Sequence, residues 1–197
     1  DIYKLASQFV LKDNVSYLGF LLEKFADTLD LDKVISVNND ANETLLTSAI
    51  RMNAYKSVTL LLSYGAGNDK ASGAIAKAKE LPLHFCCLCG NALMLNEILK
   101  WKHIYVNRKD CKGNTALHCA VGRDDHACVL ALLNHGARVL FNKVGFTPLH
   151  LASKANSIQC FKVLLNRSPT SIDRKNSRNE TPLFLACKYN GPAAASM

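Results

Sequence analysis

Cysteine and histidine are the side chains of this 197-residue chain most capable of chemistry, eight of the first and six of the second. Three cysteines crowd into Cys86-Cys87-x-Cys89. Thiolates this close would hold a soft metal or exchange with a disulfide. A closed zinc site needs four tetrahedral ligands. One helical turn cannot supply them, and no second Cys/His pair stands at zinc-ribbon spacing. Cys111, on a predicted hairpin tip, and Cys89, at a predicted exposed helix position, are the two thiols best placed to react. An imidazole serves as a general base only beside a nucleophile and an orienting carboxylate. The sequence shows no Ser-His-Asp or Cys-His arrangement, no paired carboxylates and no glycine loop for phosphate. No catalytic residue, no metal and no cofactor is expected.

What three of the histidines do show is a period. His84, His118 and His150 each close a four-residue block: Leu81-Pro82-Leu83-His84, Thr115-Ala116-Leu117-His118 and Thr147-Pro148-Leu149-His150. Related blocks begin at Thr44 and Thr181, so the starts fall at 44, 81, 115, 147 and 181, with steps of 37, 34, 32 and 34. A step near 33 marks a stacked repeat array. One imidazole recurring in register argues for a structural task shared by all three.

The elements that carry these blocks follow from the rest of the unit. Five residues after each start stands a small side chain, Ala49, Cys86, Ala120, Ala152 or Ala186, which lets helices approach closely. Apolar pairs such as Leu132-Leu133 and Leu164-Leu165 mark a second helix, and Gly65 and Gly136 follow its end in two units. Gly113, Gly145, Asn42 and Asn179, two before a start, suit a tight turn with positive φ. Each unit therefore reads as turn, helix, short turn, helix, loop, with Thr capping the first helix and Pro at its first position. No unit buries its apolar face alone, so stability comes from stacking. Most cysteines fall on this grid: Cys128 and Cys160 occupy a core position of the second helix, where a thiol acts as a small hydrophobe. Such use suits a reducing compartment, cytoplasmic or nuclear, without disulfides. No apolar run is long enough to span a membrane.

The chain resembles the ankyrin-repeat family. Thr115 to Ala120 with Leu132 to Ala137, and Thr147 to Ala152 with Leu164-Leu165, carry the resemblance. It implies an all-α solenoid of helix-turn-helix units joined by short β-hairpin-like loops, and non-enzymatic protein recognition. It also implies that His84, His118 and His150 bridge neighbouring turns through hydrogen bonds. Repeats are expected over residues 42–191, the last incomplete because Gly191-Pro192 stops its first helix. Residues 1–41, where the signature is absent, read as a degenerate or capping repeat or a different helical leader. Residues 192–197 read as a tail, a vector remnant. The segment from Ala66 to Lys79 is longer than the repeat requires. Trp101 and Tyr64, near helix ends, are expected to pack under loops.

Charge points to a partner. Residues 1–100 hold 10 Lys and Arg against 11 Asp and Glu, leaving 14 against 5 in residues 101–197. Hairpin tips and outward positions of first helices line the concave side of such an array. Lys112, Lys143 and Arg178 stand at tips, Arg123, Lys154 and Lys188 on first helices, with Phe146 and Tyr189 among them free of any packing duty in the repeat pattern. Aromatic residues and Arg commonly anchor interfaces. The expected partner is an acidic protein. Nucleic acid is disfavoured, because the cations are scattered one or two per repeat without an RNA- or DNA-reading motif. A monomer without membrane insertion is expected. The alternative reading is a targeting or regulatory domain of a larger enzyme, channel or bacterial effector.

Overall fold

A computed structural model describes residues 2–25, 28–33, 35–37, 41–67 and 81–190. Eleven α-helices are described, and ten of them form antiparallel pairs: α1 (Ile2–Leu11) with α2 (Val15–Lys24), α3 (Leu45–Arg51) with α4 (Tyr55–Ser63), α5 (Pro82–Cys89) with α6 (Ala92–Leu99), α7 (Ala116–Gly122) with α8 (His126–Asn134) and α9 (Pro148–Ala155) with α10 (Ile158–Arg167). The last, α11, spans Pro182–Asn190. First helices stack in chain order, α1 on α3, α5, α7, α9 and α11, and second helices form a parallel row from α2 to α10. The molecule is thus a two-layer solenoid whose core runs between the rows. Ala49, Cys86, Ala120, Ala152 and Ala186 are all buried in the first row, where their size permits close packing.

Local chemistry explains the helix starts. Thr44 and Thr47 exchange hydrogen bonds in a capping box, with the Thr47 N–H donating to Thr44 Oγ1 at 3.2 Å and the Thr44 N–H to Thr47 Oγ1 at 2.9 Å. Thr147 caps α9 in the same way, with His150 in place of the second threonine. Leu81 makes no such cap, and Pro82 fits because the first helical N–H has no partner to lose.

A positive-φ residue turns each first helix into its second: Asp13, Asn53, Gly90, Asp124 and Asn156. Each lies nine residues after a start, with Lys4 counted as the first. One of them staples the next repeat: Asp13 Oδ1 accepts from the Ser57 hydroxyl at 2.6 Å and from its N–H at 3.1 Å. At the equivalent place Asp124 lies near enough to Cys160 to help raise its thiol. The α1–α2 pair therefore sits on α3–α4 with the turn geometry of the later units, although its start lacks the signature.

One expected turn is placed differently. Asn42 does not lie in a tight turn: it sits in β2 (Ala41–Glu43), paired antiparallel with Ser36 of β1 (Ile35–Val37). The longer junction before this repeat places a strand pair here, and residues 38–40 lie outside the described residues. The long segment after Gly67 and the tail from residue 191 also lie outside them.

Candidate partner-binding face

The recurring histidines define the frame on which this face is built. His118 Nδ1 accepts from the Thr115 N–H at 3.1 Å and lies 2.9 Å from its hydroxyl. In His150 the corresponding distances to Thr147 are 3.2 and 2.7 Å. With Nδ1 accepting, Nε2 carries the proton and donates to a backbone carbonyl of the next hairpin, Phe146 O at 3.1 Å from His118 and Glu180 O at 3.2 Å from His150. His84 Nε2 lies 2.9 Å from Asn114 O. Each imidazole thus ties a helix start to the residue that precedes the next start. Burial pushes all three towards the neutral form, His118 to about 4. A neutral imidazole locked by donors and acceptors on both nitrogens has no spare valence for proton transfer.

The hairpins are held by residues that the sequence pattern did not single out. Asp110, Asn142 and Asn176 each lie five residues before a start. Asp110 Oδ1 accepts from the N–H groups of Lys112 at 2.9 Å and Asn114 at 2.7 Å. Asn142 and Asn176 do the same for their own tips. An Asx residue heading a reversal is a turn signal whose meaning depends on its offset from the helix. Neighbouring hairpins then touch: the Lys143 N–H donates to Lys112 O at 3.1 Å, and Ser177 Oγ donates to Val144 O at 2.6 Å. The close approach requires glycine at Gly113 and Gly145, where a Cβ would lie 2.6 Å from the next hairpin's backbone nitrogen.

On this frame the eight expected contact residues separate into two classes. Lys112, Lys143 and Arg178 are exposed on successive tips, and Arg123 and Lys154 are exposed at the ends of α7 and α9. Among the described residues none of these five makes an ion pair or a side-chain hydrogen bond. Lys188 is committed, with Nζ 2.8 Å from Glu180 Oε1. Tyr189 is 48 % exposed and lies between two ammonium groups, Lys154 Nζ at 5.1 Å and Lys188 Nζ at 5.6 Å from its ring centre. Phe146 departs from expectation. It is half-buried, with its ring edge-on to His150 at 5.9 Å, so it packs the frame as well as facing outward.

Other cations serve structure outright. Arg51 Nε lies 3.1 Å from Glu43 Oε2, a carboxylate that is buried and also accepts from Ser48. Lys109 donates to Phe141 O, Arg167 to Asn134, and Arg174 to Val139 O, with the Arg174 guanidinium also over the Phe141 ring. Trp101 packs partly buried against the core and Tyr64 is 37 % exposed at the end of α4.

Five of the thiols are shifted away from activation. The neighbouring Cys128 side chain and then burial raise Cys87, and burial raises Cys86 and Cys89. Cys119 and Cys160 are pushed up to about 12, chiefly by burial. Cys89, one of the two thiols expected to react, is therefore moved away from the nucleophilic thiolate. Cys111 is half-buried at its tip. Among the described residues no three His, Cys, Asp or Glu side chains are grouped to hold a metal, and no helix is long and apolar enough to cross a membrane.

Stacked helix pairs, hairpins tied by a recurring Thr–His bridge and the register of the starts agree with one family profile. Residues 69–143 and 140–197 match the family described as ankyrin repeats, in three copies. The chain belongs to the ankyrin-repeat family. Ankyrin repeats are protein-interaction modules. Human transient receptor potential cation channel subfamily A member 1 is 29 % identical over 174 residues, covering 84 % of this chain and 15 % of that protein. Mouse inversin is 29 % identical over 133 residues, 66 % of this chain and 12 % of that protein. Human ankyrin repeat and SOCS box protein 16 is 40 % identical over 75 residues, 38 % of this chain and 17 % of that protein. The ankyrin chain thus spans less than a fifth of the length of each of these relatives.

Proposed function

We propose that this ankyrin domain is a non-enzymatic docking module that binds an acidic protein through the concave face formed by its hairpin tips and first-helix ends. The observation that carries the reading is the set of uncommitted cations: among the described residues Arg123, Lys154, Lys112, Lys143 and Arg178 make no ion pair, while Arg51 and Lys188 of the same row each make one. Exposed positive charge gathered on one side raises the encounter rate and discriminates in favour of acidic partners. Phe146 and Tyr189 supply apolar contact beside it. His84, His118 and His150 hold the array together and take no direct part. The domain is read as a monomer in a reducing compartment, cytoplasmic or nuclear, where buried free thiols serve as small hydrophobes.

A pull-down from a cell extract with the wild-type domain and with a variant changed at Arg123, Phe146, Lys154, Lys188 and Tyr189 tests the surface. Loss of the captured protein from a variant that still melts cooperatively is the expected result, with the transition lowered only as far as the Phe146 and Lys188 changes alone lower it; capture that survives all five changes removes this face from consideration. A second reading, a targeting or regulatory domain of a larger enzyme, channel or effector, is favoured by one observation, the small share of each relative that the chain spans. The two readings share the same docking surface and differ in what that surface controls. The full open reading frame separates them.

A further inference from the structure

Among the uncommitted cations of the hairpin tips stands one hydroxyl. Ser177 lies four residues before its start, the place held by Lys143 and Cys111 in the two preceding hairpins. It is exposed, and its hydroxyl donates to Val144 O at 2.6 Å. The Lys143 N–H reaches Lys112 O in turn, so the tips form one contiguous row. Lys112, Lys143 and Arg178 of that row make no ion pair among the described residues.

Ser177 is also the only serine or threonine of the chain with arginine three residues before it and lysine two before, in Arg174-Lys175-Asn176-Ser177. Thr170 and Thr181 follow an arginine by three residues, but Ser168 and Asn179 stand where Lys175 does. Cations beside a hydroxyl are what an acidic enzyme cleft reads in its substrate. Lys175 and Arg178 are exposed, whereas Arg174 is tethered to Val139 O and over the Phe141 ring. An enzyme that takes all three must lift the tip from its neighbour, a local opening that exposed hairpins make more readily than the core.

Space and charge set the consequence. A Cβ on Gly145 would lie 3.1 Å from Ser177 Oγ, so the hydroxyl is wedged against the neighbouring tip. A phosphoryl group has no room there. It must turn outward, giving up the bond to Val144 and entering the row of Lys143 and Arg178. Phosphoserine carries a charge of about −1.5 to −2 at pH 7, enough to offset most of what the tip cations Lys112, Lys143 and Arg178 supply.

We propose that Ser177 is a phosphorylation site for an arginine-directed serine kinase and that phosphate there weakens the docking face. The γ-phosphoryl group of a nucleoside triphosphate passes to Ser177 Oγ. The new O–P bond forms as the bond from the γ-phosphorus to the bridging oxygen breaks, the diphosphate leaves with that oxygen, and the hydroxyl proton goes to the kinase's catalytic carboxylate. The proposal rests on the docking face proposed above and adds its regulation.

The test incubates the whole domain with a purified arginine-directed serine kinase and magnesium ATP, maps the product by mass spectrometry and follows binding of a labelled oligoglutamate peptide by fluorescence anisotropy. Phosphate is expected on Ser177 in preference to Thr170 and Thr181, and Ser177→Ala should remove it. Phosphorylation should weaken the peptide about tenfold, the scale of one well-placed charged contact, and Ser177→Asp should reproduce part of that loss. Ser16→Asp, the same substitution on an exposed site of α2 in the first helix pair, should leave binding unchanged. No phosphate on Ser177, a preference for Thr170 or Thr181, or an equal effect of Ser16→Asp and Ser177→Asp overturns the proposal. A domain that binds the peptide equally with and without phosphate rejects the switch alone; an unmodified domain that fails to bind it rejects the docking face, and the switch with it.

Discussion

Arg51 and Lys154 occupy the same place in two repeats, seven residues after a start, and do opposite things. Arg51 sits beside the buried carboxylate of Glu43, which is 3 % exposed and lies just before its helix. Lys154 faces Tyr189 and makes no ion pair among the described residues. The N-terminal half, with near-equal numbers of acids and bases, commits this cation to holding a repeat together; in the basic C-terminal half Lys188 pairs with Glu180 at the same place, and Lys154 makes no ion pair among the described residues. The starts differ in parallel. Thr47 closes a capping box within its own turn, whereas His118 and His150 close that box and also reach the next repeat. The lattice position three residues after a start therefore serves local stability alone or coupling between repeats as well, according to the residue placed there.

The largest expected break of this comparison is at the histidines. His118→Ala removes a cap and the tie to the next hairpin, leaving the Phe146 carbonyl with the Asn142 N–H as its remaining donor. A loss on the order of 3 kcal/mol is expected in urea denaturation, against about 1 kcal/mol for Thr47→Ala. Acid should reproduce the effect. The folded state holds His118 at about 4, below its ordinary 6.5. Above pH 6.5 the stabilisation is complete. As pH falls from 6.5 towards 4 the unfolded chain takes up the proton first, so stability declines across that window, by about 3 kcal/mol from this residue alone. His84 and His150 shift in the same direction and add to the slope. In His118→Ala the decline between pH 6.5 and 4 should be visibly shallower; an unchanged slope would show that the imidazole is not the titrating group.

Next in size is the contact between hairpins. Gly145→Ala must place a Cβ 2.6 Å from the Ser177 nitrogen at a φ of +82°. Gly136→Ala meets the same kind of backbone, φ +84°, with open space around it. Thermal melting should show a cost of about 2–3 kcal/mol for the first and about 1 kcal/mol for the second. Equal costs would mean that the hairpins do not press together.

Arg51 and Lys154 then sharpen the comparison directly. Arg51→Ala leaves the Glu43 carboxylate buried with Ser48 as its remaining side-chain partner, and a loss of about 1–2 kcal/mol is expected from chemical denaturation. Lys154→Ala should change stability by no more than about 0.5 kcal/mol while reducing capture of the acidic partner. If Lys154→Ala destabilises the domain as much as Arg51→Ala, the division between structural and uncommitted cations fails.

The repeat itself was legible because its determinants are local. Thr147 with His150 three residues on, Pro148 at the first helical position and Ala152 on the packing face are all read within one turn or two. The register of starts supplied the rest of the ladder, including the positions of Gly113 and Gly145. Asn42 was misread because the hairpin before Thr44 is longer than its successors, and strand pairing overrode the turn preference of Asn. The role of residues 2–25 was equally obscure in sequence. Lys4 carries no signature, and only the cross-repeat bond from Asp13 to Ser57 shows how that helix pair is stapled to the next.

Sequence alone determined the solenoid, its step near 33 residues and the one-sided charge, because each follows from spacing along the chain. Tertiary structure alone decided which cations are free. Whether an arginine finds a glutamate, an aromatic ring or only water depends on side chains brought together by stacking, from residues 8 positions apart, as with Glu180 and Lys188, to residues 35 apart, as with Val139 and Arg174. A charge count sums all of them equally, and only the geometry of neighbouring repeats separates the neutralised from the available.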